Sequence, residues 1–262
     1  MAHTPVSCMH HISLHVPGRT ALVATVGVLL AFGAACSEDA TQGALGDAGT
    51  HGDAPNSEQV WLDLEGVVNA RDMGGWATAS GKHVRHGVLF RSGDLSGLSA
   101  KGCDSLAALG VQSVIDLRMP EEAAQAPDAA CAHNGYHNVG LAKLLPPSEE
   151  NYLKLLRESG TAFREIFRLL ALEHALPALI HCVIGRDRAS VVTALILLSL
   201  DVSREDIVTE FLRSNEVGIT VEAAWIEAVL DEVERAGGAA AYLAEVGVTG
   251  LELEALRTGA LE

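Results

Sequence analysis

A strand, a loop and a helix run together without a spacer, and this arrangement constrains the chain more than any other feature. Residues 176–180 are apolar and of strand length, with Pro177 tolerable only at the strand's start. The loop His181-Cys182-Val183-Ile184-Gly185-Arg186-Asp187-Arg188 follows at once. Residues 191–200 are then apolar nearly all round, as a buried helix requires. Upstream, residues 60–62, 87–91 and 111–117 read as strands, and 100–109 as a helix capped by Ser99. Helices are expected at 149–158 and 162–174, each behind a Ser or Thr cap. Four more follow, at 203–212, 221–235, 239–246 and 251–261, while 121–139 is Ala-rich without a clear period. Strands alternating with helices, then a helical C-terminal half, define an α/β fold with helices on both faces of a sheet.

The loop carries the chemistry. A loop leaving a buried strand for a helix turns its backbone N–H groups inward, at the positive end of the helix dipole, and so cradles an anion. Gly185 lets the backbone curl close to a ligand. In that field Cys182 is expected to be a thiolate and a competent nucleophile. Arg188, six residues on, can grip two phosphoryl oxygens with its planar fork. Val183, Ile184, Gly185 and Arg186 are the expected substrate-binding wall, and His181 a polar support beside the thiolate. Arg71 is expected either at the pocket mouth or in an ion pair with Asp72 that holds the turn at Met73-Gly74-Gly75.

Composition bounds the partners. Against 18 Lys and Arg stand 34 Asp and Glu, a formal net charge of −16, which excludes a general nucleic-acid or anionic-membrane binder. A local anion site is still compatible with that surface. The 11 His residues show no metal-ligand spacing, so no metal site is expected. Cys103 and Cys131 are free either to form a disulfide in an oxidising compartment or to stand as two thiols.

The N-terminus reads as a targeting segment. Residues 21–35 are uncharged and apolar, too short to span a bilayer well, and end in Gly33-Ala34-Ala35 before Cys36. Residues 1–36 are therefore read as a signal peptide with lipidation at Cys36, ordinary cleavage and release being the alternative. The only membrane attachment expected is that lipid anchor, and the location an exported one: the bacterial envelope, the periplasm or outside the cell. Residues 37–58 are small and polar, a flexible linker, and the folded domain spans residues 59–262.

The motif HCVIGRDR resembles the HCxxGKDR signature of an atypical bacterial branch of the protein-tyrosine phosphatase superfamily, which includes secreted mycobacterial phosphotyrosine and phosphoinositide phosphatases. Asn69–Gly75 (NARDMGG) resembles that branch's NFRDLGG, residues 91–98 (RSGDLSGL) its RSxxLxxL, and Asp116-Leu117-Arg118 its DLR. The likeness runs in order from Leu64 to Asn215. It implies a tyrosine-phosphatase-like fold, with a central, mostly parallel sheet flanked by helices. It also implies phosphomonoester hydrolysis through a phosphocysteine without a cofactor. The implied substrates are phosphorylated proteins, phosphoinositides or inositol phosphates. With no Asp between Asp128 and Asp187, the acid of this branch corresponds to Asp187, with Asp128 and Glu149 in reserve. Two departures stand out. Arg186 replaces a Lys, and Ala189 replaces a Thr or Ser that helps break down the phosphocysteine. Slow turnover with a burst is expected, or a phosphate-binding module with turnover lost.

Overall fold

A computed structural model of the chain describes residues 60–143 and 145–262. The expected signal peptide, lipidation Cys36 and linker lie outside the described residues. A five-stranded sheet in the order β1-β2-β5-β3-β4 is built from β1 (Arg71–Asp72), β2 (Leu89–Ser92), β3 (Ser113–Asp116), β4 (Tyr136–Asn138) and β5 (Ala178–His181). β1 runs antiparallel to β2, and all other pairings are parallel. The expected strand at 60–62 reduces to a single bridge between Trp61 and Arg71. Its short run has one neighbour only, so the ladder does not extend.

Strand parity sorts the core into two layers. Leu89, Ile115, Ala178 and Ile180 face a large cluster, while Phe90, Val114 and Leu179 face a small one, as alternation along each strand demands. The small layer is covered by α1 (Ala100–Ala108) and a 3₁₀ turn at Ala130–Ala132. Helix α2 (Pro120–Gln125) buries no side chain fully.

The large layer takes α3 (Glu149–Glu158), α4 (Gly160–Leu170), α5 (Asp187–Ser199), α6 (Arg204–Leu212), α7 (Ala223–Arg235), α8 (Ala239–Glu245) and α9 (Gly250–Ala260). Helix α5 is buried on almost every face, including Val191, Val192, Leu195 and Ile196, which accounts for its lack of a polar stripe. Ser148 caps α3 by accepting from the Asn151 N–H, and Ser203 caps α6 through Asp206. Helix α4 starts at Gly160, ahead of the expected Thr161 cap. Cys103 on α1 is joined to Cys131 by a disulfide.

β5 lies between β2 and β3, so its C-terminal end opens where neighbouring connections diverge, the place where α/β sheets bind ligands.

Candidate active site

The loop from Cys182 to Arg186 leaves the end of β5 and enters α5. Three consecutive carbonyls of this loop are held from outside. The Val183 oxygen accepts from the Asp94 N–H at 3.0 Å. The Ile184 oxygen accepts from Asn69 Nδ2 at 3.2 Å, and the Gly185 oxygen from Asn69 Nδ2 at 2.9 Å and Arg91 Nη2 at 2.6 Å. In a trans peptide the N–H lies opposite the C=O, so the N–H groups of Ile184, Gly185 and Arg186 turn to the other side. Gly185 has φ +66°, and a Cβ there would lie 2.6 Å from the Ser92 carbonyl. Only glycine fits that approach.

Behind the loop, on the large-layer face, lies a buried ion network. Arg71 Nε donates to Glu210 Oε1 at 2.8 Å, and Arg91 Nη1 to Glu210 Oε2 at 2.7 Å. Arg91 also donates to Ser190 Oγ at 2.6 Å and Thr193 Oγ1 at 3.0 Å. Arg71 Nη1 donates to Asn69 Oδ1 at 2.5 Å. Burial would raise the Glu210 carboxyl, but the two arginines hold it below its ordinary value. Arg71 is pushed down to about 10 by burial and by the like charge of Arg91. The expectation that Arg71 borders the pocket is thus corrected: it is fully buried, and its partner is Glu210 rather than Asp72. Asp72 accepts instead from the Gly74 and Gly87 N–H groups, each at 2.8 Å.

His181 is corrected in the same way. It shares strand parity with Leu179, so its ring enters the small layer, with Nε2 3.1 Å from Asp128 Oδ2 and 3.8 Å from Asp116 Oδ1. The first distance is that of an ion pair, without hydrogen-bond geometry at either ring nitrogen. Asp116, Asp128 and His181 come within 4.8 Å of one another. Arg118 Nη2 already sits 2.8 Å from Asp116 and 2.9 Å from Asp128, so a guanidinium takes the place of the cation that these carboxylates could hold. Asp128, held there, does not line the cavity at Cys182, which removes it as a reserve acid.

On the open side a cavity of about 210 Å³ is lined by Cys182, Val183, Ile184, Arg186, Asp187 and Arg188 from the loop. Lys143, Leu145 and Tyr152 close it. All six of these loop residues were expected in binding or catalysis. Gly185 shapes the curl without lining it, and Glu149 is not in the lining. Arg188 is buried and gripped by Glu122 of α2, Nη1 to Oε2 at 2.5 Å and Nη2 to Oε1 at 3.1 Å. Its Nη1 also donates to the Leu141 carbonyl at 3.3 Å. Burial would lower the Arg188 ionisation, yet Glu122 and the Cys182 sulfur keep it above its ordinary value. Asp187 accepts from Arg186 Nε and from the Tyr152 hydroxyl, each at 2.9 Å. Burial and the Asp187 carboxylate push the Tyr152 phenol far up.

Sequence reasoning missed Glu122, Tyr152 and Glu210. For Tyr152 and Glu210 a signal existed, since each is a polar group on an otherwise buried helix face.

A buried cysteine sulfur and a held guanidinium beside a loop whose N–H groups turn inward make an anion-binding geometry on an α/β sheet. Residues 62–262 match the model of the tyrosine phosphatase family, and the chain belongs to that family. It is 31% identical over 179 residues to a tyrosine-protein phosphatase of Nostoc commune, covering 60% of this chain and 60% of that one. It is 30% identical over 195 residues to the triple specificity protein phosphatase PtpB of Mycobacterium tuberculosis, covering 59% of this chain and 69% of that one. A relative from Cupriavidus necator is 30% identical over 174 residues, and the chain spans 63% of its length. Among solved structures, the core catalytic domain of the PP-IP phosphatase SIW14 of S. cerevisiae shares 17% identity with a TM-score of 0.38. That match covers 59% of this chain and 90% of the other.

Proposed function

We propose that the protein is a phosphomonoesterase acting through a phosphocysteine. The observation that carries this is Cys182 at a cavity where three consecutive loop carbonyls are held outward, with Arg188 fixed beside it by Glu122. Sγ attacks phosphorus, the P–O bond breaks, and Asp187 gives its proton to the leaving oxygen. Water then cleaves the S–P bond and returns a proton to Asp187. Arg188 follows the equatorial oxygens through both steps. The proposed substrates are phosphotyrosine proteins, phosphoinositides or inositol phosphates. The test is phosphate release from phosphotyrosine peptides, phosphoinositides and phytate, with Cys182→Ser as the blank. Activity persisting in the blank would refute the reading.

A second reading, a binding module with turnover lost, is favoured by one observation. Ala189 is buried where the family carries a hydroxyl, and the next hydroxyl, Ser190, is engaged by Arg91. That protein would bind vanadate but release no phosphate from p-nitrophenyl phosphate.

We propose further that residues 1–36 export the chain, with lipidation at Cys36, and that residues 37–58 tether the domain. The Cys103–Cys131 disulfide supports an oxidising compartment. Fractionation of cells expressing the full chain and Cys36→Ser checks this: loss of membrane association in the variant is expected, and equal partition would refute the anchor.

A further inference from the structure

Asp187 borders the cavity and accepts three hydrogen bonds from neighbouring side chains. Arg186 Nε donates to Oδ1 at 2.9 Å, Nη2 donates to Oδ2 at 3.2 Å, and the Tyr152 hydroxyl donates to Oδ1 at 2.9 Å. All three donors direct a hydrogen at the carboxylate, an arrangement that suits its ionised form. Arg186 thereby engages both carboxylate oxygens, the atoms that would have to face a leaving group. Tyr152 is fixed in place, its buried ring edge-on to Phe211 at 5.9 Å and tilted against Trp225 at 5.8 Å. Arg186 is different. Its side chain is 16% exposed and borders the same cavity as Asp187 and the exposed Lys143.

We propose that Arg186 is an exchangeable latch on Asp187, withdrawn by a second phosphate group carried on the same substrate molecule. This rests on the reading of Cys182 as the nucleophile of a phosphatase with Asp187 as its acid. A phosphate dianion brings more charge to the guanidinium than one carboxylate does, and accepts its fork in the same bidentate manner. Lys143 in the same lining adds a second positive charge for that group. With Arg186 withdrawn, Asp187 keeps only the Tyr152 bond and takes a proton from solvent. That proton passes to the leaving oxygen as the S–P bond forms and the P–O bond breaks. The carboxylate is reprotonated by the water that opens the phosphocysteine. The charge of the substrate therefore decides whether the acid is available, and poor alkoxide leaving groups need the second phosphate most.

The test compares, at saturating substrate, the first-turnover rate of alcohol release by rapid quench on three probes: p-nitrophenyl phosphate, which needs no proton, inositol 1-phosphate, and a vicinal inositol bisphosphate. For the wild type, the bisphosphate should exceed the monophosphate in that rate by about a hundredfold or more, the low end of what general acid catalysis supplies. In Arg186→Met the two inositol rates, each divided by the p-nitrophenyl phosphate rate, should converge to within about threefold. Equal wild-type first-turnover rates on the two inositol probes overturn the latch. So does a preference that survives in Arg186→Met, or one that lies wholly in KM and marks Arg186 as a binding contact. A wild type that turns over none of the three refutes the phosphatase reading itself, and the latch with it.

Discussion

Glu122 holds Arg188 by both guanidinium nitrogens, at 2.5 and 3.1 Å, from a helix that shares no sheet strand with the loop. This bond sets the fork's orientation before any phosphate arrives. Glu122→Gln keeps the shape but loses the charge and one acceptor oxygen. We expect kcat/KM to fall about tenfold to a hundredfold, roughly 1.4–3 kcal/mol, with folding intact by circular dichroism. An unchanged kcat/KM would show that the loop alone positions Arg188.

Asn69 occupies a left-handed backbone position, φ +57°, and its amide holds two loop carbonyls. Asn69→Ala and Asn69→Gly both remove those bonds, so both should lose most activity and about 1–3 kcal/mol of stability. Only Ala carries the strain of that backbone, so Gly should be the more stable variant by about 1 kcal/mol. Denaturant midpoints check the difference. Equal activity to wild type in the Gly variant would show that the carbonyls need no clamp.

The elements that local rules decide were legible in the sequence, and those decided by distant partners were not. Helix α3 matches its expected bounds because Ser148, two early glutamates and an amphipathic run all agree. The loop between β5 and α5 was legible because strand, glycine and apolar helix adjoin. Residues 121–139 had no readable period, since α2 buries no side chain fully and the segment is held by Glu122 on Arg188, Asp128 on Arg118 and the Cys103–Cys131 disulfide. Glu122 was missed there for that reason. His181 was misplaced although strand parity was available: with Ala178 and Ile180 on one face, His181 must take the other.

The ion networks set the acid limb of stability. Glu210 is held below its ordinary 4.5 by Arg71 and Arg91 against its burial, and Asp116 below its ordinary 3.8 by Arg118 against its own. A carboxylate lowered in the folded state contributes stability that is complete above its unfolded value and is lost as pH falls through the folded one. The melting temperature should therefore hold from neutral pH down to about 5 and then fall steadily. Glu210→Gln should flatten that slope while lowering the neutral-pH melting temperature, because it leaves two buried arginines short of a carboxylate. A slope unchanged in the variant would place the acid sensitivity elsewhere.

The Cys103–Cys131 disulfide closes a segment of 28 residues, which contributes about 3.5 kcal/mol in the chain-entropy account. That segment carries β3, Arg118, Glu122 and Asp128. Reduction should lower the unfolding free energy by about that amount, and activity should fall with it if Glu122 loosens. Cys103→Ser with Cys131→Ser reproduces the loss without a reductant that could also reach Cys182. Full stability in the double variant would make the bond incidental.

Ala189 stands one position past Arg188, fully buried at the start of α5, and offers no hydroxyl to the sulfur. Ser190 does not substitute for it, because its Oγ accepts from Arg91 Nη2 at 2.6 Å behind the loop. In the proposed mechanism the departing Cys182 thiolate therefore has no hydroxyl at position 189 to receive it. Formation of the phosphocysteine uses Arg188 and the loop N–H groups and is unaffected, so the second step should limit turnover. Rapid mixing with p-nitrophenyl phosphate should show a burst near one equivalent of nitrophenol, then a slow steady rate. Ala189→Ser adds one oxygen in a tight site, at a cost of about 1 kcal/mol in stability. It should raise the steady rate by about tenfold and shrink the burst. A linear time course in the wild type, with Ala189→Ser no faster, would place the slow step before the phosphocysteine and leave Ala189 without a kinetic role.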